Sequence, residues 1–414
     1  SCSVWIGSPR SNPRYTELRG YRLVHLISRL EGGTPGYGRY KFLTLSEPVY
    51  LYSIFRMRCL CGAWALSGGS IETQLSQRER AAIVAAAGGA GSATETLAGP
   101  LWMAAAPGKM IGRGNAYAGM EGFIASGGSG ACVLADLLSR FERSAGDEPR
   151  LDGHYVAACG DVGRRRLSLF RDPGGAEQLY FVRVGGLLLF SSCVKPLLAH
   201  AAVPRAVCAD TILEYALYGV VAFGDATPFE GIREVLPGHR LDVSDEGFVQ
   251  RWHWGALLTS AEGDPGDLAG QLWERLRGGV RSALGGDSEA AVSLSGGIDS
   301  SAVAAALVEE LGPERVHAFT YEFVDSPIQS EVPSARAVCR HLGIRRHTVK
   351  RISFEENLEA LPEAIWMQER ACSWGVAGVE LLMARAVASH GHRKYFSGFG
   401  IGGAIQGAGR IFTP

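Results

Sequence analysis

Between residues 291 and 301 the chain reads Ala-Val-Ser-Leu-Ser-Gly-Gly-Ile-Asp-Ser-Ser, and no other stretch constrains the fold as tightly. Its apolar start has the character of a short buried strand, and residues 300–311 carry an alanine- and valine-rich helical face. Between the two stand Ser295, Gly296, Gly297 and Asp299. Successive glycines let the backbone turn sharply and approach a ligand with no Cβ in the way. A helix that begins directly after such a turn aims unpaired N–H groups and its positive dipole end back at the loop, which suits an anion. Ser295, Ser300 and Ser301 add hydroxyl donors, and Asp299 is placed to hold magnesium beside phosphate oxygens. An ordinary strand–turn–helix explains a glycine pair and a capping serine, but not a string whose every residue has a phosphate-related task. The Gly-Lys-Ser/Thr ending of a Walker loop is absent.

A chain of 414 residues has room for two domains, each with its own core. Hydrophobic residues at 46% and charged residues at 20% describe a globular protein, and a net charge of -1 gives no electrostatic case for nucleic acid or an anionic membrane. The longest apolar patch, residues 212–223, is interrupted by Glu214 and is too short to span a bilayer. The first residues lack the pattern of a signal peptide. Nine cysteines make no disulfide framework, and no second close pair completes a zinc site beside Cys59 and Cys61. Cys132, Cys159, Cys193, Cys208 and Cys339 lie in apolar sequence and are expected as small core residues. The expected setting is a reducing cytoplasm.

Residues 1–56 show no linked pattern and read as an extension, with Met57 as the expected natural start. From 57 to 258 strands and helices alternate. Helical periodicity covers 75–87 and 131–144, the second with Val133, Leu134, Leu137, Leu138 and Phe141 on one face. Strands are expected at 154–158, 166–170, 178–184 and 187–191, joined by short glycine-rich links as antiparallel hairpins. A polar segment at 259–267 marks a domain boundary. Beyond it an amphipathic helix over 268–284 precedes the loop. Strands at 316–321 and 346–349 then alternate with a helix at 332–342, which implies a parallel sheet with its ligand at the strands' C-terminal ends.

The string Ser295-Gly-Gly-Ile-Asp-Ser300 resembles the signature of the PP-loop ATP pyrophosphatases. Upstream, Leu151-Asp-Gly-His-Tyr-Val156, Phe170-Arg-Asp-Pro-Gly-Gly-Ala-Glu-Gln-Leu-Tyr180, Ser191-Ser-Cys-Val-Lys-Pro-Leu-Leu198 and Phe229-Glu-Gly-Ile-Arg-Glu-Val-Leu-Pro-Gly-His239 resemble, in order, stretches of the asparagine synthetase family. Downstream, the helix from Glu331 resembles that family's Asp-Glu-x-x-x-Ala helix, with Ser330 in place of the Asp. The resemblance implies an α/β protein: an N-terminal Ntn-hydrolase-like αββα domain over 57–258, then a parallel-sheet PP-loop (adenine nucleotide α-hydrolase-like) domain over 268–414, truncated at its C-terminus.

That family implies ATP and Mg2+, with a carboxylate attacking the α-phosphorus to give an acyl-adenylate that an amine captures. Ser295, Gly296, Gly297, Asp299 and Ser300 are then expected at the pyrophosphate, with Asp299 as the metal ligand. Leu294 and the strand ending at Thr320 are expected to flank adenine through backbone groups, and Ser397 with Gly398 to border the adenylate. Two departures stand out. The second loop, Ser397-Gly-Phe-Gly-Ile-Gly-Gly403, carries Gly402 and Gly403 where the family has Asp-Glu, so one carboxylate ligand is missing and activity is in question. Cys61-Gly62 imitates the family's N-terminal Cys-Gly, yet lies inside the chain without a free α-amine, so no glutaminase activity is expected. No lysine follows Lys394, and the chain reads as a fragment. Resemblance to glutaminase-less members, the lasso-peptide macrolactam cyclases and β-lactam synthetases, ranks peptide macrolactam cyclisation first. Its partners would be a precursor peptide bearing carboxylate and amine, together with that peptide's processing proteins. A glutamine-hydrolysing asparagine synthetase is the alternative, and a non-catalytic ATP-binding relative the third.

Overall fold

A computed structural model describes residues 59–88, 93–106, 109–124, 130–143, 151, 153–219, 221, 224–253, 265–325, 330–369 and 377–398. Met57, the 1–56 extension, Gly402 and Gly403 lie outside the described residues. The first half opens on strand β1 (Cys59–Ala65) and helices α1 (Ile71–Gln74) and α2 (Gln77–Ala86). Strands β2 (Thr94–Ala98), β3 (Leu101–Ala106), β4 (Lys109–Arg113) and β5 (Ala116–Ile124) and helix α3 (Gly130–Arg143) follow. Next come β6 (Gly153–Asp161), β7 (Arg166–Arg171), β8 (Tyr180–Val184) and β9 (Leu187–Ser191), then helices α4 (Val194–Leu198) and α5 (Ala209–Tyr218). Strands β10 (Arg233–Glu234), β11 (His239–Ser244) and β12 (Gly247–Trp252) complete this half.

These strands form two six-stranded sheets, ordered β10-β8-β9-β1-β3-β2 and β12-β11-β7-β6-β5-β4. Between them lies a core of Leu60, Trp64, Leu101 and Met103 from one sheet against Val156, Leu167, Leu169 and Leu241 from the other. The outer face of the first sheet is covered by Ile71, Leu75, Ile83, Val194 and Leu197 of the helical layer. Leu134, Leu137 and Leu138 of α3 cover the second sheet. Both faces of each sheet are thus buried in part, the αββα sandwich anticipated from the sequence.

Local details differ from expectation. The helix anticipated over 75–87 runs over Gln77–Ala86, because Ser76 caps its start, and the separate short helix α1 precedes it. The Ser76 hydroxyl accepts from Glu79 N, and the Glu79 carboxylate accepts from Ser76 N at 2.8 Å. This capping box was visible as Ser-x-x-Glu. Cys132 is exposed rather than part of the core, since α3 turns Val133 and Leu134 inward instead. Cys193 and Cys208 are half-buried.

The second half comprises α6 (Pro265–Leu284), β13 (Ala290–Ser293), α7 (Ile298–Leu311), β14 (Val316–Phe323), α8 (Val332–Leu342), β15 (Arg346–Ile352), α9 (Phe354–Gln368), α10 (Ala377–Ser389) and β16 (Tyr395–Phe396). Helix α6 takes in Pro265 to Asp267, part of the expected linker; proline is favoured in a first turn, where no partner for its nitrogen is needed. The sheet order is β15-β14-β13-β16, with every neighbouring pair parallel. The chain moves outward from β13 to β14 to β15, then returns to the other side of β13 as β16. That reversal is a topological switch point, where loops leaving the two strand ends diverge and open a crevice. Among the described residues no helix is long and apolar enough to cross a membrane.

Candidate functional site

The switch point sets the expected crevice between β13 and β16, and the loops that leave these strands are 294–297 and 397–398. Leu294 N donates to Phe319 O at 2.9 Å, carrying the sheet pairing one residue past β13. The Thr320 hydroxyl donates to Leu294 O at 2.6 Å and lies 2.8 Å from His347 Nε2. With that proton given to Leu294, the hydroxyl accepts from His347, which fixes the Nε2–H tautomer. Burial, and then the charge of Arg336, lower the His347 pKa and keep the ring neutral. The Thr320 side chain therefore pins the loop, while its backbone runs along β14 beside Leu294.

Within the loop the two serines serve each other. Ser300 Oγ donates to Gly297 O at 3.2 Å and accepts from Ser295 N at 3.3 Å, while Ser295 Oγ lies 3.0 Å from it. Ser295 Oγ in turn accepts from Gly297 N at 3.2 Å. The hydroxyls expected to face a phosphate are thus engaged in shaping the turn. Helix α7 makes its first backbone bond from Ser301 N to Gly297 O at 3.0 Å. The amides of Ile298, Asp299 and Ser300 precede it and, by helix geometry, point outward from the first turn toward the crevice.

Two glycines make the close approach. Gly296 has φ +83°, and a Cβ there would lie 2.5 Å from Ser334 Cβ and 2.6 Å from Ser334 C on α8. At Gly398 a Cβ would lie 2.6 Å from both Asp299 C and Ser300 N, so the second loop rests directly on the first turn of α7. Gly296 thus meets α8, and Gly398 at the end of β16 meets the first turn of α7. Ser397 beside it is exposed, and Asp299 is half-exposed at the head of α7.

The donor set suits a nucleotide's phosphates. Backbone N–H groups and a Cβ-free turn form the cradle, and Asp299 can supply one carboxylate to a magnesium ion otherwise held by phosphate and water oxygens. Among the described residues no cluster of three metal-ligating side chains exists, so the phosphates themselves would have to complete the shell. A cavity of about 400 Å³ lies at the ends of β14 and β15, lined by Glu322, Ser330, Val332, Pro333, Arg336, Val349 and Arg351. Sequence reasoning passed over His347, Ser334, Arg336 and Arg351; only the position of Ser334 and Arg336 on a family-like helix pointed there. A larger cavity of about 590 Å³ lies on the second sheet of the first half, where Arg240 and Arg251 are tied to Asp242.

In the first half, Cys61 is 1% exposed and sits within β1, pairing with Ala104 on one side and Ser191 on the other. The family-like Arg171-Asp172 turn is structural. Arg171 is buried and donates to Glu177 O, Val235 O and the Glu234 carboxylate, and Asp172 accepts from Ala176 N and Glu177 N.

Residues 271–401 match the asparagine synthase family model, and residues 131–254 match a glutamine amidotransferase domain. Amidase chyE of Penicillium rubens is 28% identical over 60% of this chain and 39% of its own length. A glutamine-hydrolyzing asparagine synthetase of Bacillus subtilis is 26% identical over 42% of this chain and 29% of its own. A probable glutamine-hydrolyzing asparagine synthetase of Acanthamoeba polyphaga mimivirus is 36% identical over 52% and 38% respectively. The chain therefore spans well under half the length of these relatives.

Proposed function

Because the chain belongs to the asparagine synthetase family, we propose that it uses ATP to join a carboxylate to an amine through an acyl-adenylate. The observation that carries this reading is the contact of Gly398 with the first turn of α7, and of Gly296 with α8, at the switch point of a parallel sheet. ATP would lie with its terminal phosphates on the amides of residues 298–300 and its base along β14 near Leu294 and Thr320. Ser397 and Gly398 would border the α-phosphate. A substrate carboxylate oxygen attacks the α-phosphorus and pyrophosphate leaves; an amine nitrogen then attacks the acyl carbon and AMP leaves. Asp299 would hold Mg2+, which neutralises charge on the departing pyrophosphate.

The amine is best supplied by the substrate itself. Cys61 has a peptide bond on both sides and lies within a closed ladder, so no α-amine is at hand to serve as base for glutamine hydrolysis. A peptide carrying both groups, closed into a macrolactam of the lasso type, satisfies this requirement. The setting proposed is a reducing cytoplasm; the seven described cysteines are in no disulfide.

ATP–[32P]pyrophosphate exchange and glutamate release from glutamine, measured side by side, separate the readings. Exchange that depends on a carboxylate-bearing peptide, without glutamate release, is the expected result. Glutamate release lost in Cys61→Ala would restore a glutamine-hydrolysing asparagine synthetase. ATP binding with no exchange for any carboxylate would leave a nucleotide-binding protein without chemistry.

A further inference from the structure

We propose that Cys59 and Cys193 form a redox-controlled disulfide across the first sheet, joining β1 to the start of α4. The sheet register places them. Cys61 pairs with Ser191, and Ser192 N donates to Leu60 O at 2.8 Å, one step further along. Cys193 keeps the extended course of β9, with φ -129° and ψ 153°, so the next step sets it opposite Cys59. As residues 60 and 192 share the ladder bond, 59 and 193 form a non-hydrogen-bonded pair, whose Cα atoms stand about 4.5 Å apart with side chains on one face. That spacing lies within the roughly 4.4–6.8 Å of disulfides. Both residues also belong to the same apolar cluster. The other pairings in the cluster are worse. Cys61 and Cys193 are diagonal neighbours, about 7–8 Å apart. Cys59 and Cys61 are separated by about 6.8 Å along a strand that β3 holds straight.

The thiols are suited to exchange. Hydrogen bonds from Cys193, then Cys61, hold the Cys59 thiol well below its ordinary pKa against the opposing effect of burial, and Ser191 Oγ lies 3.3 Å away. The same contacts with Cys59 push Cys61 and Cys193 upward. The cluster thus gives up one proton readily and the others with difficulty. Cys193 is half-buried while Cys59 is 2% exposed, so Cys193 meets the oxidant. Its proton passes to Cys59, and its thiolate attacks one sulfur of a small disulfide such as oxidised glutathione, releasing one glutathione thiolate. Cys59, deprotonated in turn, attacks Cys193 Sγ and expels the second. Two protein sulfurs are oxidised and one small disulfide is reduced to two thiols; one of their protons comes from Cys193 by way of Cys59, and the other, which Cys59 had already given up, comes from solvent.

The link reaches the synthetase half. Cys193 caps α4, and the amides of Val194 and Lys195 donate to the Glu369 carboxylate at the end of α9. Lys195 Nζ pairs with the same carboxylate at 2.8 Å. Fixing Cys193 therefore fixes the helix end that holds Glu369.

The test equilibrates the full reduced chain with oxidised glutathione and maps disulfides in a non-reduced digest. The expected product has lost two hydrogens, carries no glutathione, and joins the peptides of Cys59 and Cys193. Cys193→Ser abolishes this link and Cys61→Ser retains it. In the oxidised protein the amides of residues 194–198 exchange hydrogen more slowly. Both thiols remaining alkylatable, a stable glutathione adduct on Cys193, or a link to another cysteine would overturn the proposal. Unchanged exchange at 194–198 would overturn its connection to α4. If Cys193→Ser folds poorly, the wild-type map decides alone.

Discussion

Gly296 and Gly297 are adjacent and do different things. Gly296 is held at φ +83° against Ser334, whereas Gly297 has an ordinary φ of -72°, is exposed, and a Cβ there would meet only Ser295 Oγ at 3.3 Å. Gly296→Ala is predicted to cost at least about 1–2 kcal/mol in a urea titration, from left-handed strain alone. Gly297→Ala should keep near-normal stability yet weaken ATP binding, since its methyl enters the phosphate cradle. Equal melting points for the two variants would contradict this division. Both glycines were legible in the sequence, but not which one met a helix 38 positions along, because the close approach to Ser334 is tertiary. The serines show the same limit: the string implied phosphate donors, and packing has turned Ser295 and Ser300 toward each other. A different residue-scale effect comes from Glu121. Burial raises its pKa from 4.5 to about 7, opposed by hydrogen bonds from Ser192 Oγ and Leu60 N. The folded state therefore keeps a proton that the unfolded state loses, and stability falls as pH rises from 4.5 through about 7. At about 1.4 kcal/mol per pH unit across that window, the loss is roughly 3 kcal/mol. Glu121→Gln should flatten this part of the profile in chemical unfolding; an unaltered profile would mean that the carboxyl is ionised in the fold.

Elements were legible where one face is apolar and the other is not. Helices α3 and α6 and the strands of the second half follow their periodicities. Strands β2 and β4 lie at sheet edges and are largely exposed, so burial writes little pattern into them, and they went unread. Helix α9 was missed as well. It contains Pro362 and leaves Phe354, Ile365 and Trp366 exposed, which blurs its apolar stripe, although Ser353 and Glu356 form a capping box at its start. Strand β14 carries a pH-sensitive joint with the segment after α10. His317 Nδ1 lies 3.0 Å from His392 Nε2, and His317 Nε2 lies 2.9 Å from Thr348 Oγ1. Burial first, then the charge of Arg346, lowers both histidines, His317 from 6.5 to about 4. Both are neutral in the fold while the unfolded chain takes up protons near 6.5, so stability is lost as pH falls from about 6.5 toward 4. The urea midpoint should fall over this range, and less steeply in His317→Gln. An equal slope in the variant would place the acid sensitivity elsewhere.

At the scale of the molecule, the order of halves was visible in the sequence because each leaves its own motifs, and the αββα sandwich and the parallel sheet both follow. The assembly of the crevice was legible only through the family resemblance, which set Ser397 and Gly398 beside the loop; no periodicity announced it. It depends on β16 returning beside β13, which brings residue 398 onto residue 299 across a hundred positions of chain. The contact of Glu369 with Val194 and Lys195 is of the same kind, with nothing local to announce it. The account stands on the claim that this crevice binds ATP with its metal on Asp299. Calorimetric titration of ATP, with and without magnesium, into the wild-type chain and Asp299→Asn tests it most directly. Wild type should bind ATP more tightly with magnesium than without, and Asp299→Asn should lose most of that gain while keeping metal-free binding. No binding by a folded wild type, or the same magnesium gain in both proteins, would contradict the account.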